Sequence, residues 1–86
     1  MCAVAEVAVC QISFLPVDSE DYIEDIHRVL AVIESTDLEI DIGAISTLVK
    51  GNRDKVLKLI KDIYIAMENV CSFVMDIKLS NVCGCR

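Results

Sequence analysis

The residues able to do chemistry are few and scattered. His27 is the sole histidine. A histidine serving as general base or metal ligand needs a partner that fixes its ring. On a helical wheel it falls beside an apolar stripe, next to Glu24, Glu34 and the Ala31 edge, which is a surface or boundary position. Cys83 and Cys85 flank Gly84 in the manner of a chelating pair, but a structural zinc site takes four ligands. No second pair lies at metal spacing. Only two tails meeting across an oligomer would supply four thiolates; otherwise the segment is a weakly tied terminus. Cys10 and Cys71 read as small core or boundary residues. The 3 glycines form no phosphate-cradling loop, and no Ser-His-Asp arrangement can be assembled. Glu39 and Asp41 share a strand face, as an acid pair or as the wet side of an alternating strand. Lys55, Lys58 and Lys61 fall on the exposed side of a helix. None of this points to an enzyme.

The elements that must position these residues follow from periodicity. Val4 to Ile12 is apolar on both faces, as a covered central strand is. Ser13 to Val17 reads as a connection, with Pro16 biasing Leu15 away from helix. Asp18 or Ser19 can cap a helix whose apolar stripe is Tyr22, Ile26, Val29, Leu30 and Ile33. Leu38 to Ile42 alternates strictly, and Ile45 to Lys50 returns after Gly43-Ala44. A two-residue turn there would set Ile42 against Ile45, Ile40 against Thr47 and Leu38 against Val49, while a longer turn changes that register. Asn52 or Asp54 then opens a second helix through about Val70, with Val56, Leu59, Ile60, Ile63, Met67 and Val70 on one face. Phe73 to Leu79 alternates again.

The order strand, helix, strand, strand, helix, strand predicts an α+β fold of the ferredoxin-like βαββαβ type: a four-stranded antiparallel sheet with two helices on one face. Residues 1–79 form the single domain and 80–86 a short tail. The opposite sheet face stays open, and Glu6, Ala8, Cys10, Ile12, Leu48 and Val74 are expected on it. Ile65, Leu57 and Tyr64 add apolar surface on the outside of the second helix.

Composition narrows the partners. Of the 86 residues 55% are hydrophobic but only 5% aromatic. That is much aliphatic surface for one small domain, and self-association is its natural outlet. The formal charge is -6, from 14 acids against 8 bases, which disfavours nucleic acid and suits a cationic small molecule. No stretch is long enough to span a membrane. The 5 cysteines follow no secretory leader, since Glu6 interrupts the first apolar run, so a cytoplasmic location is expected.

From Ala5 to Leu79 the chain resembles the YkoF-like thiamine-binding proteins, which are small ferredoxin-like domains. Ala5-Glu6-Val7-Ala8-Val9 is similar to that family's first strand. Gly43, Thr47, Val49 and Gly51 fall where it has a glycine, a threonine, an aliphatic residue and a closing glycine around the second hairpin. Ala44 and Gln11 stand where it often has proline, and Lys50 where it often has an acid. The resemblance implies no catalysis, no cofactor beyond thiamine or a related pyrimidine as ligand, and a tetramer built from dimers. Thiamine joins a flat aminopyrimidine to a cationic ring, so its site needs hydrogen-bonding groups, an apolar wall and negative potential. Thr47 is the position the resemblance supports. Ser46 adds a hydroxyl, Gln11 an amide, and Asp41 and Glu6 the charge, with Ile40, Ile45 and Leu48 as wall. Asp41 would face Ser46 in the two-residue-turn register, and a neighbouring subunit would complete the site. The alternatives are an interaction module without a small ligand, or a metal- or redox-responsive protein using Cys83 and Cys85.

Overall fold

The structure is a computed structural model and describes residues 7–81. Glu6, Cys2, Cys83 and Cys85 lie outside the described residues. Six elements follow in order: β1 Val7–Val17, α1 Tyr22–Glu34, β2 Glu39–Ile42, β3 Thr47–Asn52, α2 Arg53–Met67 and β4 Ser72–Ser80. The strands form one sheet in the order β2-β3-β1-β4, antiparallel throughout. This is the predicted ferredoxin-like α+β arrangement.

Cross-strand rows show which side chains share a face. On the helix side, Ile42, Thr47, Ile12 and Ile77 form one row, and Ile40, Val49, Cys10 and Leu79 the next. Val29 and Ile33 of α1 and Val56, Leu59, Ile63 and Met67 of α2 close over them. Ala8, Cys10 and Ile12 are therefore core, not open-face residues as the sequence suggested. The open face carries Asp41, Leu48, Gln11 and Lys78 in one row and Glu39, Lys50, Val9 and Ser80 in another. With aliphatic residues on both sides of β1, alternation alone could not tell its inner face from its outer one.

Strand β1 runs further than expected, through Pro16, which pairs with Phe73, while the expected strand residues 4–6 lie outside the described residues. Among the described residues β3 pairs with β1 from Val7 to Ile12, so at Pro16 one flank of β1 has no ladder to break, which is where a strand tolerates proline. The hairpin loop is Gly43 to Ser46 rather than Gly43-Ala44 alone, and Ile42 pairs with Thr47, Ile40 with Val49 and Asp41 with Leu48. A slip of two residues keeps every side chain on its predicted face while changing every partner.

The helix starts are locally specified. The Asp21 side chain, not Asp18 or Ser19, accepts from the Glu24 amide at 3.2 Å. Asn52 accepts from the Asp54 and Lys55 amides at 2.9 and 3.3 Å, quenching two free donors of α2. Ahead of α1, Asp18 takes a left-handed backbone (φ 58), a region aspartate tolerates better than most residues. Just beyond it Ser19 donates to the buried Asp25. Helix α2 ends at Met67, leaving Val70 44% exposed. Lys55 and Lys58 pair with Asp37 and Asp62 at 2.7 Å each, exposed pairs worth little individually. Lys55 holds the Asp37 carboxyl below its ordinary range. His27 is exposed.

Candidate functional site

Between α1 and the β2–β3 loop lies a cleft of about 150 Å³. Its floor is Ile12, Phe14 and Ile42 from the sheet, its wall Ile26 and Leu30 of α1, and its mouth the loop Gly43 to Ser46. The loop is held tight because the Gly43 amide donates to the Ser46 carbonyl at 2.9 Å. A Cβ on Gly43 would meet that same oxygen at 2.9 Å, so a residue without a side chain belongs there. Among the described residues no titratable side chain lines the cleft.

Thr47 supplies its polar group. The residue is only 8% exposed, as its place in the Ile42–Thr47–Ile12 row requires. Its side chain makes no hydrogen bond among the described residues. No side-chain oxygen or nitrogen there is both fully buried and unpaired. The Thr47 hydroxyl therefore opens into the cleft, one donor and acceptor set in an apolar surround.

The other predicted site residues do not join it. Gln11 lies in the middle of β1 on the open face, where its Nε2 donates to Ser46 Oγ at 2.8 Å. With Ser13, Asp76, Lys78 and Ile45 it borders a separate depression of about 220 Å³. Asp41 is on the open face too, opposite Leu48 rather than Ser46, beside a third hollow with Glu39 and Lys50. Of the expected apolar wall, Ile45 reaches the cleft, while Leu48 is on the far face and Ile40 lines the hollow beside Asp41. Ser46 and Ile45 span both sides, Ser46 bordering the cleft while its hydroxyl meets Gln11 and Ile45 bordering both hollows. Phe14, Ile26 and Leu30 were read from the sequence as connection or core stripe. No pattern in the sequence joins them to Thr47, since it is packing that brings α1 against the β2–β3 loop.

The two cysteines within the described residues are poor nucleophiles. Burial pushes the Cys10 thiol up from its ordinary value. Burial, then the nearby Asp25 carboxylate, does the same for Cys71. Both stay protonated at neutral pH. Among the described residues no cluster of histidine, cysteine or carboxylate could hold a metal ion. None of their helices is long and apolar enough to cross a membrane.

Fold and cleft together define a ferredoxin-like α+β domain with a ring-sized recess on its helix side and a bare sheet on the other. The chain belongs to the YKOF-related family, whose sequence profile matches residues 7–86. Solved structures show the same fold. A Thermotoga maritima protein provisionally assigned to thiamine biosynthesis/salvage is 22% identical, with a TM-score of 0.76 over 86% of this chain and 82% of that one. A domain of unknown function from Bacillus cereus is 18% identical, with a TM-score of 0.77 over 91% and 78%. A hypothetical protein from Methanocaldococcus jannascii is 21% identical, with a TM-score of 0.77 over 87% and 79%. No curated protein matches significantly.

Proposed function

We propose that this protein binds thiamine or a related pyrimidine without catalysis, as a cytoplasmic homo-oligomer acting as carrier or sensor. The observation carrying this reading is the Thr47 hydroxyl, which has no hydrogen-bond partner among the described residues and sits in a largely apolar cleft. A volume near 150 Å³ suits a single flat ring: an apolar cavity of about that size accepts benzene, and pockets that enclose whole drug-sized ligands run to about 300–1,000 Å³. The aminopyrimidine enters between Ile26, Leu30 and Ile42 and hydrogen-bonds Thr47. The cationic ring stays at the mouth, because Asp41 faces the other way and no carboxylate lines the recess. The negative net charge of the chain then attracts the cation only at long range. The YKOF-related family membership and the neighbour assigned to thiamine biosynthesis/salvage support the choice of ligand. The absence of a titratable side chain from the lining supports binding over catalysis.

Thr47→Val preserves shape and removes the hydroxyl. It is expected to weaken pyrimidine binding about 5- to 20-fold, the worth of one hydrogen bond, with fold and oligomer size unchanged. Titration calorimetry with thiamine and with a free aminopyrimidine reads the effect. If the wild type binds neither, the ligand assignment is wrong; if it binds and Thr47→Val binds equally well, the site lies elsewhere.

A further inference from the structure

Gln11 reaches the mouth of the cleft from the far side of the sheet. The mouth loop, Gly43-Ala44-Ile45-Ser46, has one polar side chain, that of Ser46. Gln11 Nε2 donates to its Oγ at 2.8 Å, across 35 positions of sequence. The rest of the loop is weakly anchored. Gly43 and Ala44 are exposed and Ile45 is 90% exposed, so burial does not hold it down. The backbone bond from Gly43 to Ser46 ties the two ends of the loop to each other. Among the described residues the Gln11 amide is the side chain that fastens the loop to the sheet.

The register explains the reach. Thr47 is the last residue of both its ladders, paired with Ile42 on one side and with Ile12 on the other. Ser46 lies one step beyond, where the chain leaves the sheet. It stands two residues before Leu48, the direct partner of Gln11, which makes it the diagonal neighbour of Gln11 on the open face. Diagonal neighbours lie about 7–8 Å apart, within reach of a long side chain. Thr47, one peptide away, points to the opposite face and the cleft. The ladders fix its backbone on the strand side, and Ser46 fixes it on the loop side. A Ser46 released from Gln11 swings with the loop, and the Thr47 hydroxyl loses its aim.

We infer that Gln11 is a positioning residue for the ring-binding cleft: it holds Ser46, and through Ser46 the Thr47 hydroxyl, without touching the ligand. Its amide is engaged with the protein rather than with the pyrimidine edge expected from the sequence. This rests on the pyrimidine-binding reading above and adds to it a residue on the face of the sheet turned away from the ligand.

Two mutant cycles on the full chain test it. Gln11→Leu removes the donor and Ser46→Ala the acceptor. Each is expected to weaken binding of a free aminopyrimidine about 3- to 10-fold in titration calorimetry, the worth of one hydrogen bond. The double variant should bind no more weakly than either single, because both remove the same contact. In both singles the Gly43 amide is expected to exchange with deuterated solvent several-fold faster, while the α2 amides and the melting temperature match wild type. In a Thr47→Val background Gln11→Leu should cost less than about 2-fold, since the hydroxyl it aims is gone. A wild type that binds neither thiamine nor the free aminopyrimidine overturns the ligand reading and this role together. A wild type that binds, with Gln11→Leu binding equally well or with Gly43 exchange unchanged, overturns the positioning role alone. So does a loss that persists undiminished in Thr47→Val, which would put Gln11 in contact with the ligand itself.

Discussion

Ile63→Ala is expected to lower the stability of the domain by about 3 kcal/mol, the usual cost of emptying a fully packed aliphatic site. Ile63 has 0% exposure, in the middle of the α2 face that covers the sheet. Its neighbours on that face, Leu59 and Met67, are just as enclosed, so nothing at the surface can slide in to fill the gap. A chain of this length carries a total of only about 4–13 kcal/mol. The loss should appear as a fall of roughly 12–24 °C in melting temperature, measured at one fixed protein concentration because association shifts the midpoint. Ile63→Val removes one methylene and should cost only about 1 kcal/mol. Equal melting temperatures for wild type and Ile63→Ala would mean that α2 does not pack as described.

Gly43→Val is expected to damage both the hairpin and the cleft. The Ser46 carbonyl is the acceptor for the Gly43 amide and also the atom a Cβ would strike at 2.9 Å. That oxygen is backbone, so relief requires the loop itself to open. The lost hydrogen bond and the displaced loop together cost about 2 kcal/mol. Opening moves the cleft mouth and tilts Thr47, which follows Ser46 directly, so ring binding should fall below detection in calorimetry while the helices stay folded by circular dichroism. Wild-type melting and wild-type affinity in this variant would show that the tight loop is not what shapes the recess.

How far the sequence could be read depended on contrast between faces. Strand β4 was placed correctly because Asp76 and Lys78 alternate with Met75 and Ile77, and the face of each β2 and β3 residue was placed correctly for the same reason. Strand β1 has no such contrast at Ala8, Val9 and Cys10, and its inner face was assigned in reverse. The hairpin erred differently. Gly43 marks a turn but does not set its length, and the two-residue reading moved Asp41 from Leu48 to Ser46. That shift brings Asp41 beside Ser46 and hence next to Thr47, although Thr47 pairs with Ile42 and so lies on the opposite face of the sheet from Asp41. The cleft itself was not legible, since its wall comes from α1 and its mouth from a loop distant in sequence, and only packing brings them together.

The two rims of the sheet are unequal, β2 with four residues and β4 with nine. Successive molecules joining rim to rim, β2 of one on β4 of the next, would match over the shorter strand alone and leave most of β4 without a ladder. Head-to-tail extension, which would produce an open-ended fibre, is therefore stunted at every step. An aliphatic-rich chain with a bare sheet can meet copies of itself and still stop at a closed particle. Concentrated samples should accordingly stay free of thioflavin-binding filaments, and filaments growing from the native state would contradict this role for the short rim.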